Sequence, residues 1–224
     1  MNSCKKNVFF RPLLVIFTGM LLLVGCKPNE QGKGSKDGQK PVIGFSMATF
    51  KEDRWLQDRD IFIAKAKQEG FDVIVKNANN DSQLQCDQVN DMLNSGIDIL
   101  VIVPHDSEEA KTCVEVAKKA GVPVVSYDRL VRNANVDVYV SFDNIKVGQV
   151  AAESLVEAVP EGEYIILNGS ENDNNSNMFN AGFMSILNQR EYRNKIKVVA
   201  ETWVEDWRRE LAFDFVAQVL KEKG

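Results

Sequence analysis

One histidine and four cysteines are all that 224 residues supply of the strongest metal-binding side chains. No two of the cysteines stand at zinc-ligand spacing, and His105 has no ligand partner near it in sequence, so no metal centre is expected. Basic charge is not in excess either. The 27 Lys and Arg face 32 Asp and Glu, a net −5, so the surplus needed to neutralise phosphates is missing and nucleic acid is not an expected partner. No G-x-G-x-x-G follows a strand, and neither G-x-x-x-x-G-K-[ST] nor G-x-S-x-G occurs. The first strand–helix junction, MATFKEDRW, has no glycine to admit a pyrophosphate. No nucleophile–base pair stands out. The chain is therefore not expected to be an enzyme, and no cofactor is expected. Long apolar runs are missing as well. The longest, Pro12–Val24, has 13 residues, short of the ~20 that a membrane-spanning helix needs.

That short run has a meaning of its own. Lys5, Lys6 and Arg11 precede it, and Leu23-Val24-Gly25-Cys26 follows. Basic start, apolar centre and small residue before a cut read as an export signal over residues 1–25. The cysteine after Gly25 resembles a bacterial lipobox, in which the thiol takes lipid. Cys26 would then tether the chain to a membrane without spanning it. Residues 26–40 continue as CKPNEQGKGSKDGQK, polar and rich in Gly and Lys, and read as a flexible tether. Loss of the signal removes three positive charges and no negative ones. Export permits a disulfide between Cys86 and Cys113. Each, however, falls among the apolar positions of a helix-like segment, so buried free thiols are expected.

Apolar residues make up 44% of the chain and charged residues 26%, which excludes a disordered, collagen-like or coiled-coil chain. From Pro41 the pattern is regular. Strands are expected over 42–47, 71–75, 97–103, 122–127 and 136–142. Helices are expected over 53–69, 81–95 and 107–120, with Gly70, Gly96 and Gly121 as stops. The alternation continues with helices over 145–159, 178–187 and 207–221 and strands over 164–167 and 196–200. This predicts an α/β fold, a parallel sheet covered by helices on both faces.

In open α/β sheets ligands bind beyond the carboxyl ends of the strands. Those ends carry Lys51, Asp53, Arg54 and Trp55; His105; Asp128 and Arg129; Asn168, Asp173, Asn174 and Asn175; and Trp203, Asp206 and Trp207. The set is rich in planar hydrogen-bonding groups and indoles. A guanidinium fork beside a carboxylate suits neighbouring hydroxyls, which both donate and accept. An indole face covers the C–H face of a sugar ring. A neutral polyol fits this chemistry. Each residue also has a structural alternative. Asp128-Arg129 can be a surface ion pair, Trp55 and Trp203 can be core residues, and Asn174-Asn175 can be a turn.

The segments KEDRWLQDRDIF, SYDRLVRNANVDVYVSFDNIKVGQVAA, NGSENDNNSNMF and KIKVVAETWVEDW resemble the D-xylose-binding proteins of bacterial ABC transporters. These belong to the periplasmic sugar-binding family that includes ribose- and galactose-binding proteins. The resemblance runs from about Pro41 to the end. It implies two α/β lobes joined by crossing strands, with sugar held between them and a hinge that closes on it. The first lobe would be residues 41–143 and a partial second lobe residues 144–224. By the resemblance, Arg54, Trp55, Asp128 and Arg129 contact sugar from the first lobe. Asp173, Asn174, Asn175 and Trp207 do so from the second. Family members run about a hundred residues further, so the second lobe is expected to be incomplete and the chain truncated at its C-terminus. The implied ligand is a monosaccharide, D-xylose first. The implied partner is an ABC permease or, alternatively, a membrane sensor histidine kinase. A truncated remnant without function is the third alternative.

Overall fold

A computed structural model of the chain describes residues 40–223. The signal segment, Cys26 and the tether through residue 39 lie outside the described residues. Five parallel strands form the first sheet, in the order β2-β1-β3-β4-β5. They are β1 (Val42–Met47), β2 (Asp72–Asn77), β3 (Ile99–Val103), β4 (Val124–Tyr127) and β5 (Val138–Val140). Three helices cover it: α1 (Asp53–Gln68), α2 (Ser82–Asn94) and α3 (Lys111–Lys119).

The two-residue period of β3 divides the core into two layers. Leu100 and Ile102 pack with Val89 and Met92 of α2 and Val114 of α3. Val101 and Val103 point the other way, to Phe45 and Met47 of β1 and to Trp55 and Phe62 of α1. A strand buried on both faces reads as a continuous apolar run, which is what ILVIV is.

Helix α3 starts four residues later than its apolar pattern suggests. Asp106 accepts from the backbone N–H groups of Glu108 and Glu109 at 2.7 and 2.9 Å, and residues 107–110 form turns. Both the N–H and the hydroxyl of Ser107 donate to the carbonyl of Asn172, at 2.9 and 2.8 Å. That long-range contact fixes the segment outside helical geometry. The expectation of free thiols also fails. Cys86 on α2 and Cys113 on α3 form a disulfide with Cα atoms 4.9 Å apart. The two helices pack side by side on one face of the sheet, which brings their apolar positions together.

The second lobe begins with α4 (Asn144–Ala158). It continues through β6 (Gly162–Asn168), α5 (Asn174–Leu187), β7 (Ile196–Trp203), a 3-10 turn (Glu205–Trp207) and α6 (Arg209–Lys223). Strands β6 and β7 are parallel and make a two-stranded sheet. Helices α4 and α5 approach closely at two glycines. A Cβ at Gly148 would lie 2.2 Å from the carbonyl oxygen of Phe179, and one at Gly182 would lie 2.2 Å from that of Ile145. The small core here joins Ala152 and Val156 of α4, Tyr164 and Ile166 of β6, and Ile186 and Leu187 of α5. Helix α6 buries none of its residues.

Candidate functional site

The first lobe presents its polar groups just past β1 and β4. Glu52, Arg54 and Trp55 open α1, and Asp128 and Arg129 follow β4. Asp128 adopts φ +62, a left-handed turn that Asp tolerates. The turn is held from inside: Ser126 Oγ donates to the Arg129 carbonyl at 2.7 Å and accepts from the Val131 N–H at 3.0 Å. The second lobe answers with Asp173, Asn175 and Trp207. Asp173 caps α5 by accepting from the Asn175 N–H at 2.9 Å.

These groups meet around a cavity of about 390 Å³, lined by Glu52, Arg54, Trp55, Asp128, Arg129, Phe142, Asn144, Val147, Asp173, Asn175, Phe179 and Trp207. Small-molecule sites run from about 300 to 1,000 Å³. Seven of the eight residues singled out from sequence are thus brought together. Asn174 is not: it lies in the first turn of α5, its amide directed at Met178 Sδ at 3.2 Å, and it does not line the cavity. Lys51, Asp53, Asn168 and Trp203 do not line it either. Asn168 is tied to Glu201 and Asn180 instead.

The two aspartates of the cavity are engaged, whereas Glu52 Oε2 is buried without a hydrogen-bond partner. Asp173 Oδ2 takes the Arg129 Nε at 2.9 Å, and both side chains are buried, 2% and 8% exposed. The same oxygen accepts from the Trp207 indole at 3.1 Å. Asp128 receives Arg54 on one oxygen and Asn175 Nδ2 on the other, the latter at 3.1 Å. Asn144 donates to Asn175 Oδ1 at 3.0 Å and to Ser141 Oγ at 3.1 Å, and Ser141 Oγ donates to the Asp128 carbonyl at 2.6 Å. A continuous network therefore crosses from one lobe to the other. Partial burial works to lower the Arg54 pKa, but the hydrogen bond and charge of Asp128, with Asp58 beside it, outweigh that and hold it above its ordinary value. Arg54 stays charged across the accessible pH range.

The aromatic groups form walls. Both guanidinium groups lie over the Trp55 ring, Arg54 at 4.6 Å and Arg129 at 5.3 Å, so cation–π contact orients them. Trp55 itself is 4% exposed and doubles as a core residue. Trp207 meets Phe179 edge-on at 6.3 Å. It fits only because residue 169 is glycine: a Cβ there would lie 2.1 Å from the indole.

Glu52, Phe142, Asn144, Val147 and Phe179 escaped the sequence argument. Phe179 stands four residues after Asn175 and therefore on the same helix face. The apolar pattern, which begins at Met178, hides that signal because α5 starts at Asn174. Among the described residues no group of three or more His, Cys, Asp or Glu could hold a metal ion. What remains is a chamber of fixed donors, acceptors and ring faces, suited to an uncharged ligand bearing several hydroxyls.

Parallel sheets flanked by helices, with polar groups gathered at one cavity, are the architecture of periplasmic binding proteins. The pattern of the periplasmic binding protein domain matches residues 43–224, and the chain belongs to that family. It is 44% identical over 178 residues to the D-xylose-binding periplasmic protein of Haemophilus influenzae, and 40% identical over 178 residues to that of Escherichia coli K12. Each alignment covers 80% of this chain and 54% of the relative, so the chain spans about half the length of these relatives. A solute-binding protein of a Chloroflexus aurantiacus carbohydrate transporter, solved with D-glucose, is 34% identical. It has a TM-score of 0.66 and covers 71% of this chain and 48% of its own. A Mycobacterium smegmatis ABC-transporter solute-binding protein with bound glycerol is 25% identical, with a TM-score of 0.76 and 82% and 63% coverage.

Proposed function

We propose that this chain binds a monosaccharide, D-xylose first, in the cleft between its lobes, and does so without turning it over. The observation that carries the proposal is the convergence of Arg54, Trp55, Asp128, Arg129, Asn175 and Trp207 on one cavity. The 40–44% identity to D-xylose-binding proteins selects the sugar to try first. Arg54 and Asn175 satisfy Asp128, and Arg129 satisfies Asp173. A sugar hydroxyl can enter this network as donor and acceptor at once, while Trp207 covers its C–H face. The carboxylates keep the forks in place and the forks reach the hydroxyls.

The same kinship supports delivery of the sugar to an ABC permease as part of this reading. Anchoring through lipid on Cys26 rests on Leu23-Val24-Gly25-Cys26. Membrane partition of the expressed protein is expected to disappear in Cys26→Ser; partition that survives contradicts the anchor. The ligand is tested by calorimetric titration with D-xylose, D-ribose and D-glucose. Saturable binding with D-xylose the tightest is expected. Heat of dilution alone from all three, in a folded sample, contradicts the proposal. Micromolar binding is about −8 kcal/mol, well within calorimetric reach.

A further inference from the structure

His105 is the sole histidine of the chain, and the cavity leaves it unused. It follows β3 at the lobe boundary. Its backbone N–H donates to Gln85 Oε1 at 3.0 Å, and the Gln85 amide is itself buried, donating to the Val103 carbonyl at 2.9 Å and to Ser46 Oγ at 3.2 Å. The ring is thus launched from a fixed point of the first lobe. Both of its nitrogens are engaged. Nδ1 lies 3.1 Å from Ser82 Oγ in the same lobe, and Nε2 lies 3.1 Å from Asp206 Oδ1 in the other. A carboxylate only accepts, so Nε2 carries the hydrogen in that bond.

Asp206 is an unusual thing to grip. It and Trp207 adopt successive left-handed conformations, φ 52 and 56. For a bulky non-glycine residue this is uncommon and costs roughly 1–3 kcal/mol, so surrounding contacts must hold it. From the second lobe, Ser170 Oγ accepts the Asp206 N–H at 3.2 Å, the Val204 carbonyl accepts the Trp207 N–H at 3.1 Å, and Asp173 takes the indole. Among the described residues of the first lobe, the direct hydrogen bond to this pair is the one from His105.

We propose that His105 is a positioning residue for the ligand cleft: when the lobes meet, its Nε2–H captures Asp206 and so seats the adjoining Trp207 against the cavity. The contact exists only while the lobes are together. It therefore favours the closed cleft and couples closure to completion of the indole wall. This rests on the ligand proposal above, and the test separates the two.

The measurement pairs D-xylose affinity with the indole N–H resonance of Trp207 in isotope-labelled protein, recorded with and without sugar. Trp207→Phe identifies the resonance. His105→Ala is expected to weaken D-xylose binding about tenfold, chiefly through faster release, as the loss of a charge-assisted hydrogen bond would. It is also expected to move the Trp207 resonance in the sugar-free protein. His105→Gln, whose amide can still donate to Asp206, is expected to restore both in large part. Asp206→Ala with His105→Ala should be no weaker than Asp206→Ala alone. A Trp207 resonance unmoved by His105→Ala, or additive losses in the double variant, overturns the role. If the unaltered chain binds no sugar, the ligand proposal fails and the resonance alone decides the role of His105.

Discussion

Asp173 receives three donors from three parts of the chain: the backbone of Asn175, the indole of Trp207 and the guanidinium of Arg129. Its position after β6 marked it as a site residue, and the structure places it on the cavity wall. The geometry makes it a bracket that aims two others. Its neighbour Asn174 shows the opposite outcome, because the helix start at Asn174 turns that side chain toward Met178. Polar runs such as DNNSN hide helix starts, since each of these residues also suits a turn. Gly169 is the residue through which the bracket is most simply tested. Gly169→Ala places a methyl within the indole volume and has to displace Trp207. Its tryptophan emission is expected to shift, and D-xylose affinity to fall about fivefold or more, as for other overpacking changes costing roughly 1–3 kcal/mol. Unaltered emission and affinity would show that Trp207 is not held where the structure places it.

At the scale of elements, apolar runs closed by glycine or proline carried most of the information. VIGFSM and ILVIV are strands, and Gly70, Gly96 and Gly121 all take positive φ after the helices they end. What was not legible came from long-range contact. The start of α3 is displaced by Ser107, whose partner Asn172 is 65 residues away. The Cys86–Cys113 bond was hidden because an apolar helix position suits a free thiol and a half-cystine equally. The bond closes a loop with a sequence separation of 27. A loop of that size is worth roughly 3–4 kcal/mol by restricting the unfolded chain. Cys86→Ala with Cys113→Ala is expected to lower the urea midpoint of unfolding, and reductant to do the same to the unaltered protein. Coincident unfolding curves would mean that the bond contributes nothing.

On the scale of the whole molecule, the two lobes differ in how much sheet they own. Among the described residues the first has five strands and a core on each face; the second has two strands and a smaller core. What joins them is polar: Arg129 to Asp173, Asn175 to Asp128, His105 to Asp206 and Ser107 to Asn172. A polar seam can be remade around a ligand, whereas an apolar one would hold the lobes shut. The rule that ligands sit beyond strand ends gave fourteen residues, of which seven line the cavity, because parallel strands point all their carboxyl ends one way; the family resemblance narrowed the fourteen to eight. It said nothing of Asn144 and Val147 on α4, which reach the cavity from a helix. Arg129 stands where the ligand chamber and the seam coincide. The most direct measurement is therefore calorimetric titration of Arg129→Ala with D-xylose beside the unaltered chain, with circular dichroism to show that both are folded. Truncating one partner of a buried charged pair costs about 2–5 kcal/mol in binding, so affinity is expected to fall about thirtyfold or more. Equal affinity in the folded variant would contradict a ligand site between the lobes.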